Sequence, residues 1–444
     1  MIAARGKFAK AVWSLADQAI VSAANFLILF FIARSSTSAD VGIYAIAISF
    51  IVILVSVQEA LILRPYTLRF FDSGLSEKEL AGGALSLTLI LSGFVSALSL
   101  AFYFSQTLYF DNVRISLLIA AFSFALPFAL LRQFVRRYLL AMDSVRELFI
   151  FDLFCISFLF ASMFYLSQIQ QLNTVTVFFA MGGAYAIGFT AWLMLRYKRF
   201  TLSITLTKKV GAVCWETGKW LLPTRAIREF QGYMTHWFSI VLLSASATGV
   251  FAANLSVVAL SNPFVLGMLN IMTPGAVRTH KDNGMVGLRN QTITNMLLMF
   301  AIMVGFCIFI YIFGQSIMDT LFPGKDYQQN SSLLLILAAA ISIGSIASPI
   351  SISLLCAGYA KEESKIYFFV CAISLVVVPI LISLGDLTGA SFSVLFIETI
   401  ALLARLKLLV GAFKKAGVAF DTASIAAQIG RTFVKFTDKR SQAG

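Results

Sequence analysis

Runs of about twenty mostly apolar residues recur along this chain, and each is long enough to cross a hydrocarbon core about 30 Å thick. The strands of a membrane barrel do not explain them. Such strands alternate apolar and polar residues over about ten positions, and these runs do not alternate. Of the 444 residues 59% are hydrophobic and only 12% are charged, where a soluble domain carries about 25% charged residues. The chain therefore reads as an all-α polytopic membrane protein rather than a soluble enzyme. The first run lacks a small-residue cleavage site and is too long for a signal-peptide core, so it is expected to stay as a helix.

About twelve spans are predicted, at roughly 12–33, 41–63, 81–104, 115–135, 147–167, 174–195, 219–243, 248–272, 292–313, 332–357, 364–384 and 387–410. With the N-terminus in the cytoplasm, 28 of the 34 Lys and Arg fall on inside segments and three, Arg34, Arg114 and Lys325, fall outside. The other three, Lys219, Arg225 and Arg228, lie in the seventh span. This asymmetry predicts an even number of helices with both termini inside. It also accounts for the formal charge of +13 without any nucleic-acid partner. The outside loops are short, and the longest, Gly314 to Ser331, contains Pro323-Gly324 and reads as turn-rich.

Landmarks repeat at a nearly constant offset. Gly42 and Gly249 are 207 apart, as are Trp13 and Trp220, and Pro65 and Pro274 are 209 apart. Residues 139–143 match 354–358. A duplicated six-helix unit is expected. With six helices per half, both insert the same way round, so the repeat is parallel. The expected organisation is an N-terminal lobe 1–200, a basic cytoplasmic linker 201–218, a second lobe 219–412 and a basic tail 413–444. In the tail, Val418, Phe420, Ile425, Ile429, Phe433 and Phe436 recur at helical spacing near Lys435, Lys439 and Arg440. An amphipathic helix on the anionic inner leaflet fits this pattern, and so does a basic tail without fixed structure.

The seventh span, Trp220 to Leu243, carries the most unusual pattern. At 3.6 residues per turn, Arg225, Arg228, Glu229, Gly232, Thr235, His236 and Ser239 share a stripe. An arginine at the centre of a spanning helix costs about 2.5–3.5 kcal/mol, which a water-filled cavity or an anionic ligand would offset. Two guanidinium forks one turn apart suit a diphosphate. Two structural readings compete: an Arg225–Glu229 pair, and snorkelling to the inner interface, since Arg228 lies only about 13 Å along the helix from Lys219. The first span has its own polar stripe, Ser14, Asp17, Gln18, Ser22 and Asn25. The offset makes it the partner of the seventh, and the two stripes are expected to face each other. Arg225, Arg228, Gln18, Asn25, Thr235 and Ser239 are the candidate substrate contacts. Asp17 and Glu229 are candidate proton or cation sites. Glu59 and His236 read as structural. Pro127, Pro263, Pro349 and Pro379 fall inside spans, as bending points or ordinary membrane prolines. The five cysteines form no CxxC pair, so neither a disulfide framework nor a metal site is expected.

The run Asn25-Phe26-Leu27 through Ala33-Arg34, followed by Asp40-Val41-Gly42-Ile43-Tyr44-Ala45, resembles the start of the polysaccharide flippases, or O-antigen translocases. These belong to the multidrug/oligosaccharidyl-lipid/polysaccharide (MOP) exporter superfamily. Arg136-Arg137-Tyr138-Leu139-Leu140-Ala141 is similar to that family's cytoplasmic end of helix four. The resemblance implies a two-lobed, V-shaped, MATE-like transporter working by alternating access, with no catalytic residues and no cofactor. It would carry an undecaprenyl-diphosphate-linked oligosaccharide to the outer leaflet of a bacterial inner membrane, with membrane lipid and a polysaccharide polymerase or export machinery as the partners this implies. Basic residues line the cavity in that family, and Arg225 and Arg228 are the counterparts here. Three other readings stay open: a cation-coupled multidrug exporter of the same superfamily, a membrane glycosyltransferase or polymerase, and a scaffold for a polysaccharide complex.

Overall fold

A computed structural model describes residues 2–68, 74–109, 113–322, 325–328 and 332–420. The apolar runs fold as helices, and polar residues mark their starts. Thr37 caps α2 by accepting from the Asp40 backbone N–H. Asn173 and Thr176 form a reciprocal capping box at the start of α6. In chain order the helices are α1 (Ile2–Ser35), α2 (Ser38–Leu68), α3 (Glu77–Tyr109), α4 (Val113–Ala141), α5 (Val145–Gln168), α6 (Thr174–Arg196) and α7 (Ile204–Leu242). There follow α8 (245–283), α9 (285–321), α10 (Leu333–Cys356), α11 (360–384) and α12 (387–415).

Among the described residues, nine continuous helical stretches are long and apolar enough to cross a membrane. Two of them are double. Ala245–Leu321 is broken at Gly284, with φ 59° and ψ −152°, and Ala360–Lys415 at Gly385 and Asp386. The Gly284 conformation is open essentially to glycine alone. Nine stretches with two divided make eleven segments, and α7 makes the twelfth expected from the sequence. Its cationic stripe leaves α7 too polar to count among the nine.

Packing divides the chain into two compact units, Met1–Ala253 and Asn254–Gly444. In the first unit α4 is central, packed against α3 and α6, while α5 joins α1 to α6. Small residues permit close approach: Gly182 lies against Phe124 and Ala125, and Gly188 against Cys155. Phe134, Tyr138, Trp192 and Phe200 form an aromatic cluster at one end of α4 and α6. In the second unit a core of Ala276, Leu288, Ile350, Leu354, Leu409 and Phe413 joins α8, α9, α10 and α12. Within it the Thr292 and Ser353 hydroxyls are 2.5 Å apart.

The duplication leaves a physical trace inside the first unit. A Cβ on Gly42 would collide with the Ala245 carbonyl, and one on Gly249 would collide with that of Ser38. Ser38 and Ala245 are themselves 207 apart, so the contact is reciprocal, as across a local twofold. The Ser38 and Ser246 hydroxyls, 2.6 Å apart, seal the same crossing.

Three local expectations change. Most of the stretch expected as a linker, from Ile204 to Gly218, is helix. It packs along α2 and α3, and the division between units falls later, inside α8. The loop expected from Gly314 is helical as far as Leu321, because Gly314, Met318 and Phe322 continue a buried face against α10 and the turn beyond it. Pro323 and Gly324 lie outside the described residues. At the C-terminus α12 ends at Lys415 and the chain turns back, burying Val418 and stacking Phe420 on Phe413 with centroids 5.5 Å apart. Ile425, Ile429, Phe433 and Phe436 of the expected amphipathic tail lie outside the described residues.

Candidate functional site: an arginine network in the first unit

The network starts from α4, where Arg132 and Arg136 stand one turn apart and Arg137 points about 100° round the helix from Arg136. Asp152 of α5 is fully buried and serves the first two. Its Oδ1 accepts from Arg132 Nη2 at 2.6 Å and Nε at 3.0 Å, and its Oδ2 pairs with Arg136. Arg132 also donates to the Tyr185 hydroxyl at 3.3 Å and lies over that ring, 4.7 Å from its centroid. Arg136 reaches on to Asp17 Oδ2 of α1 at 3.1 Å. Four helices are thus tied by charge-assisted bonds in a setting where unpaired charge is expensive.

Arg137 faces the other way and pairs with Glu59 of α2. Glu59 is 5% exposed and opens a π-helical turn, Glu59–Leu63, closed by the Arg64 N–H donating to the Glu59 carbonyl. π turns are rare and favour functional sites. The first half of α7 is held along this turn: Gly218 abuts the backbone of Ala60 and Leu61, and Cys214 Sγ lies 3.7 Å from the Ile62 carbonyl. Val210 fills the space beside Gly83 of α3. This anchoring brings Arg225 within electrostatic reach of Arg137, Arg64, Arg228 and Glu229. Arg228 Nη2 lies 3.2 Å from Glu229 Oε1. Among the described residues the half-buried Arg225 side chain makes no hydrogen bond or ion pair, and neither does the exposed side chain of Arg64. Among the described residues four arginines thus share two glutamates, an excess of two positive charges.

The structure places the sequence candidates in different settings. Arg225 and Arg228 sit in this cluster, and Glu229 pairs with Arg228 rather than with Arg225. Asp17 is buried and held by Arg136, with its Oδ1 unpartnered. Gln18 is half-buried and Asn25 exposed. Thr235 and Ser239 are buried, and His236 packs between the rings of Tyr233 and Phe251, so the second half of the α7 stripe is an interior face. On the opposite face Trp237 donates to Ser49 at 2.8 Å. The polar stripes of α1 and α7 were expected to face each other, but α1 packs mainly along α5, and α7 along α2 and α3. Sequence reading did not count Arg64, Arg132, Arg136, Arg137, Asp152 and Tyr185 among the site residues, although Arg136 and Arg137 carried part of the family resemblance. It assigned the arginines to inner-side charge, although the i, i+4 spacing of Arg132 and Arg136 beside an apolar run was visible.

No family model and no curated protein matches the chain. Solved structures do. A multidrug resistance MATE family transporter of the MOP superfamily superposes with TM-score 0.69 at 13% identity, covering 91% of this chain and 96% of its own. The lipid II flippase MurJ gives 0.67 at 14% identity, with 96% and 93% covered. A MOP superfamily transporter from Pyrococcus furiosus gives 0.63 at 10% identity, with 90% and 93% covered. This chain has their fold. At such identities the likeness concerns architecture, and substrate has to be argued from the side chains.

Proposed function

We propose that the chain is a membrane transporter that flips an amphiphile with an anionic head, and that this head belongs to a polyprenyl-diphosphate-linked oligosaccharide used in polysaccharide biosynthesis. The observation that carries the reading is the cluster of Arg64, Arg137, Arg225 and Arg228, balanced among the described residues by Glu59 and Glu229 alone. An excess of two positive charges matches a diphosphate diester, a dianion. Guanidinium forks replace the hydration that phosphate oxygens lose, and the polyprenyl tail stays in lipid throughout. Gln18, half-buried, and Asn25, exposed, are the polar groups of α1 assigned to sugar hydroxyls. Thr235 and Ser239, enclosed by packing, receive no role. With both termini on the inner side, an inside-negative potential helps a dianion outward by about 2.3 kcal/mol per charge per 100 mV, so no coupling carboxylate is required.

A multidrug exporter is the second reading, since one of the similar folds is a multidrug resistance transporter. A cationic drug calls for an available carboxylate, and in this unit Asp17 and Asp152 are both held by Arg136. The test uses vesicles holding a fluorescent polyprenyl-diphosphate oligosaccharide under an imposed potential. Leaflet exchange by the wild type, lost in Arg225→Ala/Arg228→Ala while insertion is intact, supports the flippase. Exchange unaffected by the double variant rejects the arginine site, and efflux of cationic drugs without glycolipid exchange selects the second reading.

A further inference from the structure

We propose that Glu59 is a resident counter-anion of the arginine cluster, one that shares Arg137 with the bound head group and sets how readily that head group leaves. The inference rests on the anionic-substrate reading above. Glu59 is almost completely buried, and Arg137 is its ion-pair partner. Beyond that pair, neither carboxylate oxygen accepts a hydrogen bond among the described residues, and the Arg137 Nε is likewise buried without an acceptor. A purely structural buried ion pair is normally completed by further hydrogen bonds, as Asp152 is with Arg132 and Arg136. The Glu59–Arg137 pair lacks them, so both partners keep unused bonding capacity beside the cluster.

The local backbone points the same way. Glu59 opens the π turn against which α7 is anchored, so the carboxylate and the Arg225 helix are set by one piece of structure. Arg64, at the other end of that turn, belongs to the same electrostatic group as Arg225. Arg137 lies within electrostatic reach of Arg225, so a phosphate held at Arg225 and Arg64 also draws on Arg137. Arg137 then divides its donors between the phosphate and Glu59. Full recombination of Arg137 with Glu59 favours departure of the phosphate. Without Glu59 the cluster would carry a further uncompensated positive charge and hold the dianion longer.

The experiment measures binding of a short polyprenyl diphosphate, farnesyl diphosphate, to the detergent-solubilised full chain over a series of salt concentrations, with thermal midpoints recorded alongside. The variants are Glu59→Gln, Glu59→Asp, Arg137→Gln and the double Glu59→Gln/Arg137→Gln. Glu59→Gln is expected to bind on the order of tenfold more tightly, with steeper salt dependence and slower flipping in vesicles. Glu59→Asp should stay near wild type, and the double variant should lose the gain, since Glu59 acts through Arg137. Unchanged or weaker binding by Glu59→Gln, with wild-type binding intact, overturns the counter-anion role and leaves the substrate reading standing. A gain that persists in the double variant overturns the route through Arg137. If neither wild type nor Glu59→Gln binds the diphosphate, the anionic-substrate reading itself falls, and the inference with it.

Discussion

Gly42 and Gly249, equivalent positions of the two repeats, cross with backbone against backbone, so that a Cβ on either would stand 2.9 Å from the other's amide nitrogen. Alanine in place of helical glycine normally stabilises by up to about 1 kcal/mol, and that gain is expected at Gly93 and Gly232, where the added carbon meets nothing within 4 Å. At Gly42 or Gly249 the sign reverses. Valine there should cost about 1–3 kcal/mol or more through overpacking. Thermal midpoints in detergent for the four glycine variants test the contrast, and equal responses would show that the crossing is loose.

Asp152 and Asp17 differ in what their loss strands. Asp152→Asn removes the anion from both Arg132 and Arg136 at a fully buried position, and a cost of about 3–5 kcal/mol is expected. Asp17→Asn leaves Arg136 with Asp152 and should be clearly milder. Ranking the two by thermal denaturation checks this, and the opposite order would mean that Asp17 is the main anchor of Arg136.

Arg225 makes no ion pair among the described residues, so its removal breaks nothing in the empty protein. Arg225→Gln should leave the thermal midpoint nearly unchanged while weakening diphosphate binding by about 10- to 100-fold, the worth of one charged hydrogen bond of about 1.5–3 kcal/mol. Arg225→Lys keeps the charge but not the planar fork and should fall in between. Equal affinity in all three would remove Arg225 from the site.

The two breaks in the long helices predict topology. Asn283 and Ser383 are exposed and flank Gly284 and the Gly385–Asp386 pair. With both termini inside, a cysteine at 283 should react with an impermeant maleimide only from the cytoplasmic side, and one at 383 only from the outer side. The background should lack the five native cysteines. Labelling of both from one side would overturn the twelve-segment count.

Most of the architecture was legible because apolar length and charge asymmetry are read along the chain, residue by residue. Even the breaks at Gly284 and Asp386 fell in gaps between predicted spans. The arginine site was only half legible. Arg225 and Arg228 stood out because they interrupt a span, whereas Arg132, Arg136 and Arg137 sit near the end of one, where positive charge is ordinary. Their partners Asp17, Asp152 and Glu59 come from three other helices, and helix pairing leaves no mark on a single strand of letters. Thr235 and Ser239 show the converse failure: a polar stripe predicts a face, and packing alone decides whether that face is open or enclosed.

The π turn at Glu59–Leu63 amounts to one surplus residue in α2, as if a single codon had been slipped into an ordinary helix. Each residue advances a helix by about 100°, so everything after the surplus is rotated by that angle from where unbroken periodicity would put it. Deleting one residue among Ala60, Leu61 and Ile62 would turn the Arg64–Glu59 backbone bond into an ordinary i, i+4 bond, leaving Arg64 where it is while removing the widened turn on which Gly218 and Cys214 of α7 rest. What the surplus residue supplies is thus a seat for α7, and through it for Arg225, rather than the aim of Arg64.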